Sequence, residues 1–128
     1  MENYTLTGDY KQPGVNLDAG KGIIEIKGRS IPEQTTKFYQ PILDWVDSYI
    51  QNPAEETIIN YHLDYYNSSS KKYLLDILER FTPLHNSGKK ITFNWYYEED
   101  DDEAEDAGIL YGELAEYPVN LIPVPEEE

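Results

Sequence analysis

The alternation of apolar and polar positions predicts two long β-strands in the middle of the chain. Over residues 57–66 and 90–97 every second side chain is apolar, which is the period of a strand with one buried face. The apolar face predicted for the first strand carries Ile59, Tyr61, Leu63 and Tyr65. Its opposite face carries Asn60, His62, Asp64 and Tyr66. One apolar face and one mainly polar face predict a sheet that is covered by helices on one side only.

Apolar residues at three- and four-residue spacing predict helices on either side of the first of these strands. One stripe spans residues 38–50 and a second spans residues 74–81. Pro41 falls within the first stripe. Either it lies in the first turn of the helix, where its missing N–H costs nothing, or it kinks the helix. The second helix is expected to end between residues 82 and 88, which contain a Thr-Pro pair and a glycine.

Shorter elements are predicted near both ends of the chain. Residues 14–17 and 22–27 are predicted to form two strands, and the glycine-containing turn between them makes the pair a hairpin. A helix is expected over residues 107–116, with Leu110 and Leu114 facing the core.

The order of the predicted elements indicates the fold class. With a last strand at residues 120–122, the chain contains three strand–helix–strand units, which imply parallel neighbours joined by right-handed crossovers. We therefore expect an α/β fold: a small two-layer sandwich with a mixed, mostly parallel sheet, an N-terminal hairpin and helices on one face. A length of 128 residues suits a single domain over residues 1–128.

The chain is strongly acidic, and the excess charge is concentrated in two segments. Ten basic residues against 25 acidic residues give a formal net charge of −15. Eight of the acids lie in residues 98–106, predicted to form an acidic loop, and three lie in a flexible acidic tail predicted for residues 123–128. Because nonspecific binding to nucleic acid or to an anionic membrane needs clustered lysines and arginines, neither partner is expected.

Composition also limits the location and the chemistry of the protein. The chain has no cysteine, which excludes a disulfide scaffold, a thiolate zinc site and a cysteine nucleophile. No apolar run approaches the roughly 20 residues of a membrane helix, and the N-terminus lacks the basic and apolar regions of a signal peptide. A cytoplasmic protein is therefore expected, and nothing in the sequence demands more than a monomer.

One functional hypothesis is a small hydrolytic or metal-binding domain. His62, Asp64 and Ser68 supply the residue types of a catalytic triad, but the sequence lacks the G-x-S-x-G turn that would expose the nucleophile. The acidic residues 98–106 lack the glycine and the terminal glutamate of an EF-hand loop. For this segment a solvated loop, a looser calcium site and a docking surface for a basic partner are the alternatives.

A cluster of serines supports a different hypothesis. Residues 67–70, Asn-Ser-Ser-Ser, end a predicted strand shortly before the second helical stripe, where serines act as N-cap residues. A hydroxyl at this position also suits phosphorylation, because free helix N–H groups and the nearby Lys71 and Lys72 would stabilise the phosphate. Helix capping and a phosphorylation switch are compatible, since one serine can do both.

Five segments of the chain, in order and at matching spacing, resemble the SiaC family of regulatory phosphoproteins. They are GRSIPE at residues 28–33, FYxPxLxW at residues 38–45, YYNSSSK at residues 65–71, LLDIL at residues 74–78 and WYYE at residues 95–98. The resemblance extends from about Leu6 to Ile122. It implies a compact fold similar to that of the SpoIIAA-like (STAS-like) anti-sigma-factor antagonists.

The resemblance implies a non-enzymatic regulator without cofactor or metal. In this family a serine/threonine kinase phosphorylates the residue after the asparagine of an N-[ST]-S-S motif, and a PP2C-type phosphatase removes the phosphate. The unphosphorylated protein binds and activates a diguanylate cyclase, which raises cyclic di-GMP and favours biofilm formation; related members serve other effectors. Carried over by the motif, the phosphoacceptor is Ser68, and the partner-binding residues around it are Asn67, Ser69, Ser70 and Lys71.

Overall fold

A computed structural model describes residues 1–125, and within them the chain forms one six-stranded sheet and four helices. In chain order the elements are β1 (Tyr4–Leu6), β2 (Gly14–Asp18), β3 (Ile23–Ser30), α1 (Thr35–Tyr49), β4 (Glu56–Tyr66), α2 (Ser68–Glu79), α3 (Thr82–Asn86), β5 (Lys90–Glu98), α4 (Asp102–Ala115) and β6 (Val119–Val124). The strands lie in the sheet in the same order as in the chain, from β1 to β6.

The sheet confirms the predicted topology. Strands β1, β2 and β3 are antiparallel neighbours, whereas β3, β4, β5 and β6 are parallel and are joined through helices. Because all three crossovers run in the same direction across the sheet, they place the helices on one face. Strand β1 is absent from the sequence prediction, since three residues are too few to show an alternation; its pairing with β2 defines it.

The two faces of the sheet differ as expected. Ile59 and Phe93 are fully buried between the sheet and the helices. On the face without helices, Asn60, Asn94 and Asn120 form a hydrogen-bonded row across three strands. The Asn94 amide donates to the Asn60 oxygen at 2.9 Å, and the Asn120 amide donates to the Asn94 oxygen at 3.0 Å.

The alternation predicted for the end of β4 is wrong, because the strand contains an irregularity. The register between β3 and β4 shifts after Gly28, where β4 carries one extra residue. The extra residue reverses the faces of the side chains that follow. Tyr65 is therefore exposed, whereas Tyr66 is half-buried and packs edge-on against the ring of Trp95, with 6.2 Å between the ring centroids.

The predicted acidic loop over residues 98–106 is also wrong in part. Strand β5 extends through Glu98, and α4 begins at Asp102 rather than near residue 107. Most of the acidic segment therefore belongs to the first turns of a helix.

Helix α4 is rotated relative to the prediction. Leu110 and Leu114 do not face the core; they are 53% and 47% exposed. Gly108 and Gly112 occupy the buried side instead, and a Cβ added at Gly108 would overlap the ring of Trp95. The indole leaves no room for a side chain at Gly108, and Val119 leaves none at Gly112, so this side of α4 packs against the sheet and the leucines turn outward.

The remaining boundaries differ in smaller ways. Pro41 lies inside α1, beyond its first turn. The second predicted helix is α2, and Pro83 lies at the start of a separate short helix, α3. Strand β6 includes Val124, so the predicted tail does not begin at residue 123, and residues 126–128 lie outside the described residues. Within residues 1–125 no helix combines the length and the apolar character that would let it cross a membrane.

Candidate functional site

The serine cluster lies at the junction of β4 and α2, where Asn67 caps the helix. Asn67 has an extended backbone, with φ −83° and ψ 171°, and its side-chain oxygen accepts the backbone N–H of Ser70 at 3.0 Å. The hydroxyl of Ser70 donates to the same oxygen at 2.7 Å. The prediction that a serine is the N-cap is therefore wrong, because α2 begins at Ser68, the residue after the cap.

The three serines differ in accessibility. Ser68 is exposed, and within residues 1–125 no hydrogen bond engages its hydroxyl. Ser69 is also exposed, but its hydroxyl bonds to the Thr35 hydroxyl at 2.8 Å and to the Asn67 oxygen at 3.1 Å. Ser70 is completely buried, so its predicted role in binding a partner is wrong. Of the three, Ser68 alone presents an accessible hydroxyl that no hydrogen bond among residues 1–125 engages.

Ser70 anchors the start of α2 to β3 and α1. Its hydroxyl lies 2.9 Å from the hydroxyl of Ser30, which in turn bonds to the hydroxyl of Tyr39. The backbone N–H of Asn67 donates to the carbonyl oxygen of Ser30 at 3.0 Å. Burial raises the pKa of Tyr39, and its hydrogen bonds with Ser30 and Ser70 partly oppose that shift. These buried contacts hold the N-terminus of α2, and with it Ser68, in place.

Neither Ser30 nor Tyr39 is assigned a role by the sequence. Ser30 precedes Ser70 by 40 positions, and no spacing rule connects residues so far apart. Both residues do fall within the segments that resemble the SiaC family, and that resemblance is the signal that points to them.

Lys71 and Lys72 place positive charge next to Ser68. Both lysines are exposed, and within residues 1–125 neither takes part in an ion pair. They follow Ser68 by three and four positions, the spacing at which side chains on a helix are neighbours. A phosphate on Ser68 would therefore lie within reach of both ammonium groups.

A groove of about 420 Å³ brings Lys71 together with part of the acidic segment. Its walls include His62 and Asp64 from β4 and the acidic side chains of Asp101 and Glu103 at the start of α4. The surface beside Ser68 is thus of mixed charge, with Lys71 of α2 and several carboxylates lining the same groove.

The acidic segment supports its own helix. The Asp101 side chain caps α4 by accepting a backbone N–H at 3.0 Å, and Asp102, Glu103 and Glu105 lie in the first turn, where the helix dipole favours negative charge. The Tyr97 hydroxyl donates to Glu105 at 2.7 Å, and this hydrogen bond raises the pKa of Tyr97. Among residues 1–125, no group of three or more carboxylates or imidazoles is placed to hold a metal ion.

The residues of the predicted triad are not assembled. His62 lies on the face of the sheet without helices and stacks on Tyr96, with 5.1 Å between the ring centroids. Asp64 is exposed near the end of β4, and Ser68 is on α2. In the part of the chain that the structure describes, no hydrogen bond joins any two of the three, so this arrangement does not activate the Ser68 hydroxyl as a nucleophile.

Known proteins match this chain along nearly its whole length. A family model described as SiaC family regulatory phosphoprotein matches residues 6–124. An uncharacterized protein of Pseudomonas aeruginosa strain UCBPP-PA14 is 23% identical over 118 residues, which cover 92% of this chain and 94% of that protein.

Solved structures share the fold. The crystal structure of apo-SiaC from Pseudomonas aeruginosa aligns with a TM-score of 0.86 at 22% identity, over 95% of this chain and 99% of that one. The crystal structure of the diguanylate cyclase SiaD in complex with its activator SiaC, from the same organism, aligns with a TM-score of 0.88 at 21% identity, over 94% and 99%.

Proposed function

The chain belongs to the SiaC family of regulatory phosphoproteins, and we propose that it is a non-enzymatic partner-switching protein controlled by phosphorylation of Ser68. A serine/threonine kinase adds the phosphate and a PP2C-type phosphatase removes it. The unphosphorylated form binds and regulates a diguanylate cyclase, a choice of partner that follows SiaC of Pseudomonas aeruginosa, the activator of the cyclase SiaD. Asn67, Ser69 and Lys71 surround Ser68 on the face that docks. The cytoplasmic location stays a prediction from the sequence.

The observation that carries this proposal is the exposed hydroxyl of Ser68 on an anchored helix, which makes no hydrogen bond within residues 1–125. A kinase needs an acceptor hydroxyl that it can reach, and Ser68 is exposed. Ser69 is held by two hydrogen bonds, and Ser70 is buried. The arrangement therefore supports Ser68, the residue after the asparagine, as the phosphoacceptor.

Phosphorylation would change the charge of this face without unfolding the protein. A phosphate adds a charge of about −1.5 to −2, which is comparable in size to the summed charge of Lys71 and Lys72. The N-terminus of α2 and the two lysines stabilise that charge in the free protein. A partner that docks on the same face would have to desolvate the phosphate, so its binding weakens.

Three variants test the switch. Ser68→Ala should bind and regulate the cyclase constitutively, and Ser68→Asp should bind it less well. Ser69→Ala is the matched control, because it removes the neighbouring exposed hydroxyl. Whatever it does to the affinity for the cyclase, binding should still depend on the phosphorylation of Ser68. Binding is measured by titration calorimetry and cyclase output as cyclic di-GMP formed. Equal affinity of the cyclase for the wild type, the Ser68→Asp variant and the phosphorylated protein would refute the mechanism.

Mass spectrometry of the protein from its own host tests the site directly. A phosphate is expected on Ser68 and should be missing from the Ser68→Ala variant. If Ser68 is unmodified under several growth conditions, the serine cluster serves only to begin α2 and the proposal fails.

A further inference from the structure

An apolar groove of about 280 Å³ lies beside Ser68, between α2 and α4. Its walls are formed by Tyr66, Leu75, Ala107, Leu110, Tyr111 and Leu114. Lys71 and Lys72 line it on the side of α2. This groove adjoins the mixed-charge groove described above, and Tyr66, Lys71 and Ala107 border both.

Leu110 and Leu114 of this groove are exposed for a structural reason. Gly108 faces Trp95, and this contact sets the rotation of α4 about its axis. Leu110 and Leu114 then project beside α2, one helical turn apart, and meet Leu75 across the groove. Three leucines that converge on one concave strip of surface are typical of an interaction site, whereas scattered single leucines are not.

The groove suits a helix better than a strand. Apart from Tyr66 at the end of β4, its walls are the side chains of two helices, whose backbone N–H and C=O groups are already paired within each helix. An added strand would find no backbone partners there, but an added helix satisfies its own backbone and needs only side-chain contacts. Lys71 and Lys72, exposed and without ion pairs among residues 1–125, favour acidic side chains in the occupant.

We propose that this groove binds an amphipathic helix of the partner protein, with apolar residues at i, i+3 or i+4, and i+7 seated on Leu75, Leu110 and Leu114 and acidic residues beside Lys71 and Lys72. The inference rests on the proposed function and adds to it the kind of segment that docks. It also explains how the switch acts. A phosphate on Ser68 lies three and four positions before the two lysines, pairs with them, and repels the acidic flank of the incoming helix.

Variants of α4 provide the first test, with the diguanylate cyclase of the protein's own host as the probe. The double variant Leu110→Gln/Leu114→Gln should bind the cyclase at least about tenfold more weakly, since two apolar contacts are lost. Ile109→Gln is the matched control: Ile109 is 39% exposed on the same helix but does not line the groove, so binding should stay within about twofold. Circular dichroism confirms that each variant is folded.

The outcomes separate this inference from the proposed function. If the double variant binds as well as Ile109→Gln while binding still depends on the phosphorylation of Ser68, the groove is not the docking site and the proposed switch stands. If the wild type does not bind the cyclase at all, that choice of partner fails, and a designed peptide then decides the question of the groove.

The peptide is an 18-residue helix with leucines on one face and glutamates beside them, compared with a peptide of the same composition in which apolar and polar residues alternate. The helical peptide alone should shift the amide NMR signals around Leu75, Leu110 and Leu114, and Lys71→Gln/Lys72→Gln should weaken its binding severalfold. Absence of shifts in the wild type, or equal shifts in the double leucine variant, would overturn the inference. Self-association of the wild type that the double variant loses would assign the groove to a second copy of the chain and overturn it equally.

Discussion

Replacing Asn67 with alanine should destabilise the protein by about 1–2 kcal/mol, because this one side chain organises the start of α2. Its oxygen accepts the backbone N–H of Ser70 at 3.0 Å and the Ser70 hydroxyl at 2.7 Å. It also accepts the Ser69 hydroxyl at 3.1 Å. Alanine removes all three hydrogen bonds. It changes no residue of α2 itself, because the helix begins at Ser68.

The size of this destabilisation depends on whether each group that loses its hydrogen bond to Asn67 finds another partner. Loss of an N-cap side chain costs typically about 1 kcal/mol. The buried Ser70 hydroxyl adds a fraction of the roughly 1–3 kcal/mol that a fully unsatisfied group costs, since it keeps the Ser30 hydroxyl at 2.9 Å and the Ser30 carbonyl at 3.1 Å. Ser69 is exposed, so water replaces its lost partner at little cost.

Urea denaturation followed by circular dichroism measures the change, and Asn67→Asp is the matched control. Aspartate keeps an acceptor oxygen at the cap and places a negative charge at the N-terminus of α2, so its free energy of unfolding should stay within about 0.5 kcal/mol of the wild type. For a chain of this length, Asn67→Ala should also lower Tm by roughly 4–8 °C.

Two results would refute the reasoning. If Asn67→Ala unfolds at the wild-type urea concentration, the cap does not stabilise α2. If Asn67→Asp is as unstable as Asn67→Ala, the amide group rather than the acceptor oxygen matters, and the hydrogen bonds described here are not the cause.

Two further properties of the core are testable. Gly108→Ala should lower the free energy of unfolding by about 1–2 kcal/mol, because overpacking against Trp95 outweighs the gain of about 1 kcal/mol in helix propensity; urea denaturation that shows equal or greater stability would contradict this. Burial raises the pKa of Tyr61 and of Tyr117, so the folded protein keeps protons that the unfolded chain releases near pH 10. Stability should therefore be unaffected by these phenols below about pH 10 and should fall as the pH rises above it, and their absorbance at about 295 nm should change only together with the loss of the circular dichroism signal. Complete titration of the phenols in a protein that keeps its native spectrum would disprove this.

The sequence by itself predicts the architecture well, because the strongest signals in it are local. Alternation over residues 57–66 and 90–97 marks β4 and β5, and the stripes from Phe38 and Leu74 mark α1 and α2. The order of these elements then leaves parallel crossovers as the expected connection, and strands β3 to β6 are parallel neighbours in the sheet. The sequence likewise predicts that the serine cluster lies between the end of a strand and the start of a helix, and this is its position at the start of α2.

The errors arise where a distant residue decides the outcome. The extra residue in β4 reverses Tyr65 and Tyr66, and only the pairing with β3 reveals it. The face of α4 that is buried depends on residues distant in the chain. Trp95 leaves no room for a side chain at Gly108, and Val119 leaves none at Gly112, so Leu110 and Leu114 point outward although their spacing suits a core.

The same distinction applies within the candidate site. The motif Asn-Ser-Ser-Ser offers three hydroxyls in a row, and the sequence has no means of ranking their accessibility. The tertiary structure ranks them, because Ser30 on β3 draws the hydroxyl of Ser70 into the core, and Thr35 on α1 holds that of Ser69. Neither β3 nor α1 reaches the hydroxyl of Ser68, which makes no hydrogen bond in the part of the chain that the structure describes. The sequence thus determines where the site begins along the chain, while the packing of β3 and α1 against α2 decides which serine a kinase can reach.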